Sequence, residues 1–160
     1  MKNMKDEKEE LIRAEAWCSA AERCRSEAFA RLSRCDRNGE SLPEDAVARI
    51  IAHLEKEGYI DERRYAEAFV HDKLRFSKWG RIRIAIALRQ KGIGHDVFDD
   101  ILNAVDMDDY KAVLRGLIAA KKRGLRAASD YEMTAKLLRF AASRGFEPSL
   151  AGEIIDELKD

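Results

Sequence analysis

Residues 77–94 read SKWGRIRIAIALRQKGIG, and two incompatible structures fit them. From Arg81 to Leu88 an aliphatic side chain falls at every second position, the pattern of a half-buried β-strand. The same residues also suit a helix stopped by Gly92, and from Lys78 to Lys91 every charge is positive: Lys78, Arg81, Arg83, Arg89 and Lys91. Strand or helix decides the fold, and the rest of the chain supplies the answer.

Three sets of apolar residues share one spacing. Leu42, Ala46, Val47, Ile50, Ile51 and Leu54 form the first. Ile93, Val97, Phe98, Ile101, Leu102 and Val105 repeat it, and Phe146, Leu150, Ala151, Ile154, Ile155 and Leu158 repeat it again. The steps of four, one, three, one and three trace one stripe of an α-helix. A period of about 50 residues indicates stacked helical units. Ser41-Leu42-Pro43-Glu44 reads as a capping box with proline in the first turn, and Ser129-Asp130-Tyr131-Glu132 as another; Glu147-Pro148 opens the third copy similarly. Asp61 precedes Tyr65, Ala66, Phe69 and Val70 at the same offsets as Asp109 precedes Val113, Leu114, Leu117 and Ile118, so each acid should cap a further helix.

The expected architecture is all-α: tandem three-helix repeats in an elongated, curved arrangement. An N-terminal helix lies in residues 1–25, full repeats span 26–77 and 78–127, and a truncated repeat of two helices spans 128–160. The opening segment is then a helix, because Ile84, Leu88 and Gly92-Ile93 match Leu137, Ala141 and Gly145-Phe146 in a plainly helical stretch. A lone strand would have no partner. On the helix, Trp79, Ile82 and Ile86 fall on one side and Ile84 and Leu88 on another, so packing on two sides is expected.

Of the 160 residues, 38% are charged and 8% aromatic, with only 2 prolines, a mix that favours helices. No run is apolar enough to span a membrane, and the N-terminal residues lack a secretory h-region, so a cytoplasmic monomer is expected. Cys18, Cys24 and Cys35 have neither zinc-knuckle spacing nor an even count, and read as packing residues; no metal or cofactor is expected. Net charge is zero, yet it is sorted into blocks. Lys73 to His95 lacks any acid; Asp96, Asp99, Asp100, Asp106, Asp108 and Asp109 follow without a Lys or Arg; then Lys111, Arg115, Lys121, Lys122, Arg123 and Arg126 come without an acid. Distinct basic and acidic faces are expected.

Glu57-Gly58-Tyr59-Ile60-Asp61-Glu62-Arg63-Arg64-Tyr65-Ala66 resembles the "GYIDDxRFA" signature of the RecX family, and Gly80-Arg81-Ile82-Arg83 through Lys91-Gly92-Ile93 resembles its "GxxRIxxxLxxKGI" segment. Arg23-Cys24-Arg25-Ser26-Glu27 is similar to its weaker "RxRSE" turn. The resemblance covers about residue 14 to the C-terminus. It implies a regulator without catalysis. Such proteins lie in the groove of the RecA filament on single-stranded DNA and restrain its growth, ATP hydrolysis and strand exchange, with weak direct DNA binding besides.

No phosphate loop, HExxH or activated nucleophile occurs, so an enzyme is not expected. The candidate contacts are Lys78, Arg81, Arg83, Arg89 and Lys91, then Lys121, Lys122, Arg123 and Arg126, then Arg139 and Arg144. Reversing Arg81, Arg83 and Arg89 should abolish inhibition of RecA and leave the fold unchanged. Two other readings are a helix-turn-helix-like DNA-binding protein, which would need Arg, Asn or Gln facing base edges, and a generic helical-repeat adaptor.

Overall fold

In the computed structural model, which describes residues 5–159, the chain forms nine α-helices and, among the described residues, no strand. They are α1 (Glu7–Ala20), α2 (Arg25–Leu32), α3 (Glu44–Lys56), α4 (Glu62–Arg75), α5 (Arg81–Gln90), α6 (His95–Asn103), α7 (Met107–Gly124), α8 (Asp130–Ser143) and α9 (Pro148–Glu157). Local chemistry sets the ends. Asp6, Asp61 and Asp106 open α1, α4 and α7 by accepting N–H bonds from the first turn, and Ser129 does so for α8. Helices α5 and α8 stop where Gly92 and Gly145 adopt φ of 81° and 94°. The next residues, Ile93 and Phe146, donate back to Leu88 and Ala141 at 3.1 and 3.0 Å and drop their side chains into the core.

The three apolar stripes become the buried faces of α3, α6 and α9. Each belongs to a separate core. Ala14, Cys18, Leu32, Ile50 and Leu54 join α1–α3; Tyr65, Val70, Ile84, Leu88 and Phe98 join α4–α6; Leu114, Ile118, Leu137, Phe146 and Ile154 join α7–α9. The cores therefore divide the chain into three units of three helices, one helix earlier than the boundaries at 26, 78 and 128. Helix α1 is the first member of a unit, and the last unit has its third helix. A repeat in sequence reveals its period and leaves its origin open, and packing supplies the origin.

Several local expectations need correction. Ser41 does not cap α3; Pro43 occupies the cap position and no side chain caps that end. The acid that opens α7 is Asp106, with Asp109 already inside the first turn donating its N–H to it at 3.0 Å. Cys18 and Cys24 are buried as packing residues, but Cys35 is exposed in the loop after α2. Helix α5 packs on one side only: Ile84 and Leu88 are fully buried, whereas Ile82 and Ile86 remain 44% and 49% exposed. They share one helical face because they are four apart, and among the described residues no neighbouring helix covers it.

Candidate functional site

The basic helix α5 begins at a tight joint between the second and third units. Gly80 N–H donates to Arg144 C=O at 2.7 Å, and Ile82 N–H to Gly145 C=O at 3.0 Å. A Cβ on Gly80 would lie 2.2 Å from the carbonyl of Gly145, and one on Gly145 would lie 2.3 Å from Arg83 Cβ, so both positions need glycine. Arg144 reaches back across the joint and donates to Ser77 C=O at 2.6 Å and to Lys78 C=O at 3.3 Å. Arg81 Nε donates to Glu147 at 2.7 Å, and its guanidinium lies over the Tyr110 ring. The Tyr110 hydroxyl donates to the other oxygen of Glu147 and accepts from Arg81 N–H at 2.9 Å. Burial, reinforced by Glu147, pushes the Tyr110 phenol well above its usual range. Arg81 and Arg144 are thus consumed in holding two units together.

A second joint links the first unit to the second. Ser26 donates to Lys91 C=O at 2.6 Å, and Lys91 Nζ sits 3.6 Å from Glu27. Cys24, at the start of α2, is buried in the core of the second unit, and Arg64 pairs with Glu22 at 2.6 Å. Burial works to raise the Glu27 carboxyl, yet the Cys24 N–H, Lys91 and the Tyr65 hydroxyl together hold it below its ordinary value. Tyr65 and Tyr110 each lie four residues after a capping aspartate, and each brings its phenol to a glutamate at a joint. Lys91 is half-buried here and belongs to this contact. Lys122 is likewise spent, donating to Leu158 C=O at 2.8 Å.

What remains is a smaller basic set. Among the described residues, Lys78, Arg83, Arg89, Lys121, Arg123, Arg126 and Arg139 make no ion pair. Lys78, Arg89, Lys121, Arg123, Arg126 and Arg139 are exposed. The Arg83 guanidinium lies 4.1 Å from the centre of the Trp79 ring, and the Lys121 ammonium 5.3 Å from that of Phe140. Lys73, not among the candidates from sequence, joins this group: its ammonium is 4.7 Å from the Trp79 centroid and 5.4 Å from that of Phe69. Its position at the start of the acid-free stretch was the available signal. By contrast, three arginines of α3 and α4 are neutralised, Arg49 by Glu7 and Asp45, Arg63 by Glu67 and Asp100, and Arg64 by Glu22.

The surface of α5 is mixed, with Ile82 and Ile86 exposed near Arg83 and Arg89. Such a face suits contact with protein and phosphate better than reading of base edges, which wants Arg, Asn or Gln in hydrogen-bonding array. Among the described residues no group of three or more His, Cys, Asp or Glu side chains is placed to hold a metal ion, and no helix is long and apolar enough to cross a membrane.

Comparison with known proteins gives one consistent result. The family model described as "RecX, second three-helix domain" matches residues 61–102, the span of α4–α6. "Regulatory protein RecX" of Chlorobium phaeobacteroides is 31% identical over 138 residues, covering 86% of this chain and 85% of the relative. "Regulatory protein RecX" of Clostridium botulinum is 30% identical over 122 residues, 75% of this chain, which spans only 57% of that relative's length. Two crystal structures align with a TM-score of 0.78 each. One, of a regulatory protein RecX, is 25% identical and covers 91% of this chain and 71% of that one. The other, of RecX from Lactobacillus salivarius, is 23% identical with coverage of 95% and 96%, and speaks to the fold alone.

Proposed function

The chain belongs to the RecX family, and from that premise we propose that it binds a RecA-type recombinase assembled on single-stranded DNA and restrains ATP hydrolysis, filament growth and strand exchange. It acts without catalysis of its own, as a cytoplasmic monomer. The observation that supports this reading is the concentration, on α5 and on the α7–α8 corner, of cations that make no ion pair among the described residues, while Arg49, Arg63, Arg64 and Arg115 on other faces are held by carboxylates. Cations that serve only the fold find partners within it; those held on aromatic rings or left in solvent are available to phosphates and external carboxylates. Stacked units present such groups along an extended surface, as a filament groove requires.

Arg83 and Arg89 carry the α5 contact, with Lys73 and Lys78 beside them. Lys121, Arg123, Arg126 and Arg139 form the second cluster. Arg81, Arg144 and Lys91 position these groups through the joints, Lys122 ties α7 to the end of α9, and none of the four contacts the filament.

The test is titration of the chain into RecA hydrolysing ATP on single-stranded DNA. Inhibition well below one molecule per RecA protomer is expected, because a molecule in a filament groove blocks growth for many protomers. Arg83→Glu with Arg89→Glu should abolish it with the melting temperature unchanged. Full inhibition by that double variant would remove α5 from the contact.

A further inference from the structure

The acidic block of residues 96–109 has no part in the function proposed above, yet the fold puts its end to use. Helices α4, α6 and α7 leave a crevice of about 530 Å³ where the second unit meets the third. Its floor is apolar, made by Val70, Leu74, Ile101, Val105 and Val113. Its mouth carries Glu67, Asp106 and Asp109, set against Arg75 and His71. His71 is taken up by Asp72 at 3.4 Å, and Arg75, whose guanidinium lies over the exposed Phe76 ring, is one full cation against three carboxylates, so the opening is acidic on balance. Glu67 already shares Arg63, and Asp106 caps α7. Asp109 makes no ion pair among the described residues, and exposed Asp108 stands next to it.

We infer that this crevice is a protein-docking site, and that its occupant is a segment of the recombinase that presents apolar side chains flanked by Lys or Arg. The inference rests on the functional reading above and adds a division of labour: the cations of α5 and of the α7–α8 corner meet phosphates, and the acid-rimmed crevice holds the protein. The carboxylates at the mouth repel a nucleic-acid backbone, and an apolar floor gives phosphates nothing to bond. A segment with apolar anchors and basic flanks satisfies both parts of the site, burying the floor and neutralising the rim.

The experiment compares the unaltered chain with Ala104→Arg and Asp109→Asn. Ala104 is exposed at the last turn of α6 and lines the crevice, where a cation is also compatible with the helix end. Asp109→Asn removes the free rim charge and leaves its backbone N–H on Asp106. Affinity is measured for RecA on oligo-dT with a non-hydrolysable ATP analogue, and for oligo-dT alone. At least a tenfold loss for the filament with Ala104→Arg, a smaller loss with Asp109→Asn, and unchanged affinity for oligo-dT support the docking site. Affinity for the filament within twofold of the unaltered chain in both variants overturns it while leaving the functional reading in place. Failure of the unaltered chain to bind the filament overturns that reading and the inference with it. Sedimentation of the unaltered chain as a dimer that Ala104→Arg makes monomeric would assign the crevice to self-association and overturn the proposal too.

Discussion

Replacing Gly80 by alanine tests the joint that holds the basic helix in place. Gly80 has φ −79° and ψ 164°, which alanine adopts without strain, so the backbone itself raises no objection. The obstacle is across the joint, where the new Cβ would sit 2.2 Å from the Gly145 carbonyl and 2.4 Å from Phe146 N. Relief to ordinary contact requires the two units to part by about 1 Å. That motion breaks the bonds from Gly80 to Arg144 and from Ile82 to Gly145, at about 1 kcal/mol each, and strains the Arg144 bond to Ser77, a charged donor's bond of about 1.5–3 kcal/mol. A loss of about 3–5 kcal/mol follows. Gly94→Ala is the matched control: Gly94 also precedes a helix, with φ −78° and ψ 157°, but its Cβ would meet only the free end of the Asp96 side chain. Cap preference and chain entropy cancel between the two. In urea unfolding, Gly80→Ala should be less stable than Gly94→Ala by about 3 kcal/mol or more. A difference below about 1 kcal/mol would show that the close glycine contact does not hold the units together.

Three further outcomes follow from the same geometry. Arg81→Gln should cost about 1–3 kcal/mol because it leaves the partly buried Glu147 without its charge partner, with only the Tyr110 hydroxyl bound to it, whereas exposed Arg89→Gln should change stability by less than about 0.5 kcal/mol, both read from thermal melts. An aromatic disulfide reagent at neutral pH should modify Cys35 rapidly and leave Cys18 and Cys24, whose thiols burial pushes up, until the chain unfolds; three fast thiols would contradict the packing. Burial, aided by Glu55 and opposed by the Arg25 N–H, raises the Glu62 carboxyl above its ordinary value, so the folded state binds that proton more readily than the unfolded one. Stability from this group therefore falls as pH rises from its unfolded to its folded pKa, and Glu62→Gln should raise the melting temperature at pH 7 with a gain that shrinks at pH 4.

The helices were legible because their stripes follow the 3.6-residue period and persist through three copies. Ile84 and Leu88 identify α5 as a helix even though local alternation imitates a strand. The origin of the repeat was harder to read, since shifting it by one helix leaves every match intact. The aspartates at 6, 61 and 106, each opening the first helix of a unit, mark it in the structure, and reading Asp109 as the cap of α7 hid that signal. The basic site was legible as a region and not as residues. Arg81 and Arg83 look equivalent at two residues' separation, yet Arg81 is taken by Glu147, 66 positions away, while Arg83 rests on Trp79. Only tertiary contacts distinguish a cation that builds the joint from one that is free to leave it. The same holds for Ile82 and Ile86, whose exposure depends on which side of α5 finds a neighbour. For this reason the triple reversal of Arg81, Arg83 and Arg89 is a poor probe, because its first member would loosen the fold.

The central claim is that the target is the assembled filament, and one measurement addresses it directly. Affinity of the chain is determined for RecA on single-stranded DNA with a non-hydrolysable ATP analogue, for RecA alone, and for the same DNA alone, across a range of salt. The account predicts binding to the filament at least tenfold tighter than to either component. It also predicts a salt slope that falls by about 0.7 for each phosphate contact removed from the Arg83 and Arg89 group. Equal affinity for bare DNA and for the filament, or no binding to the filament at all, would contradict it.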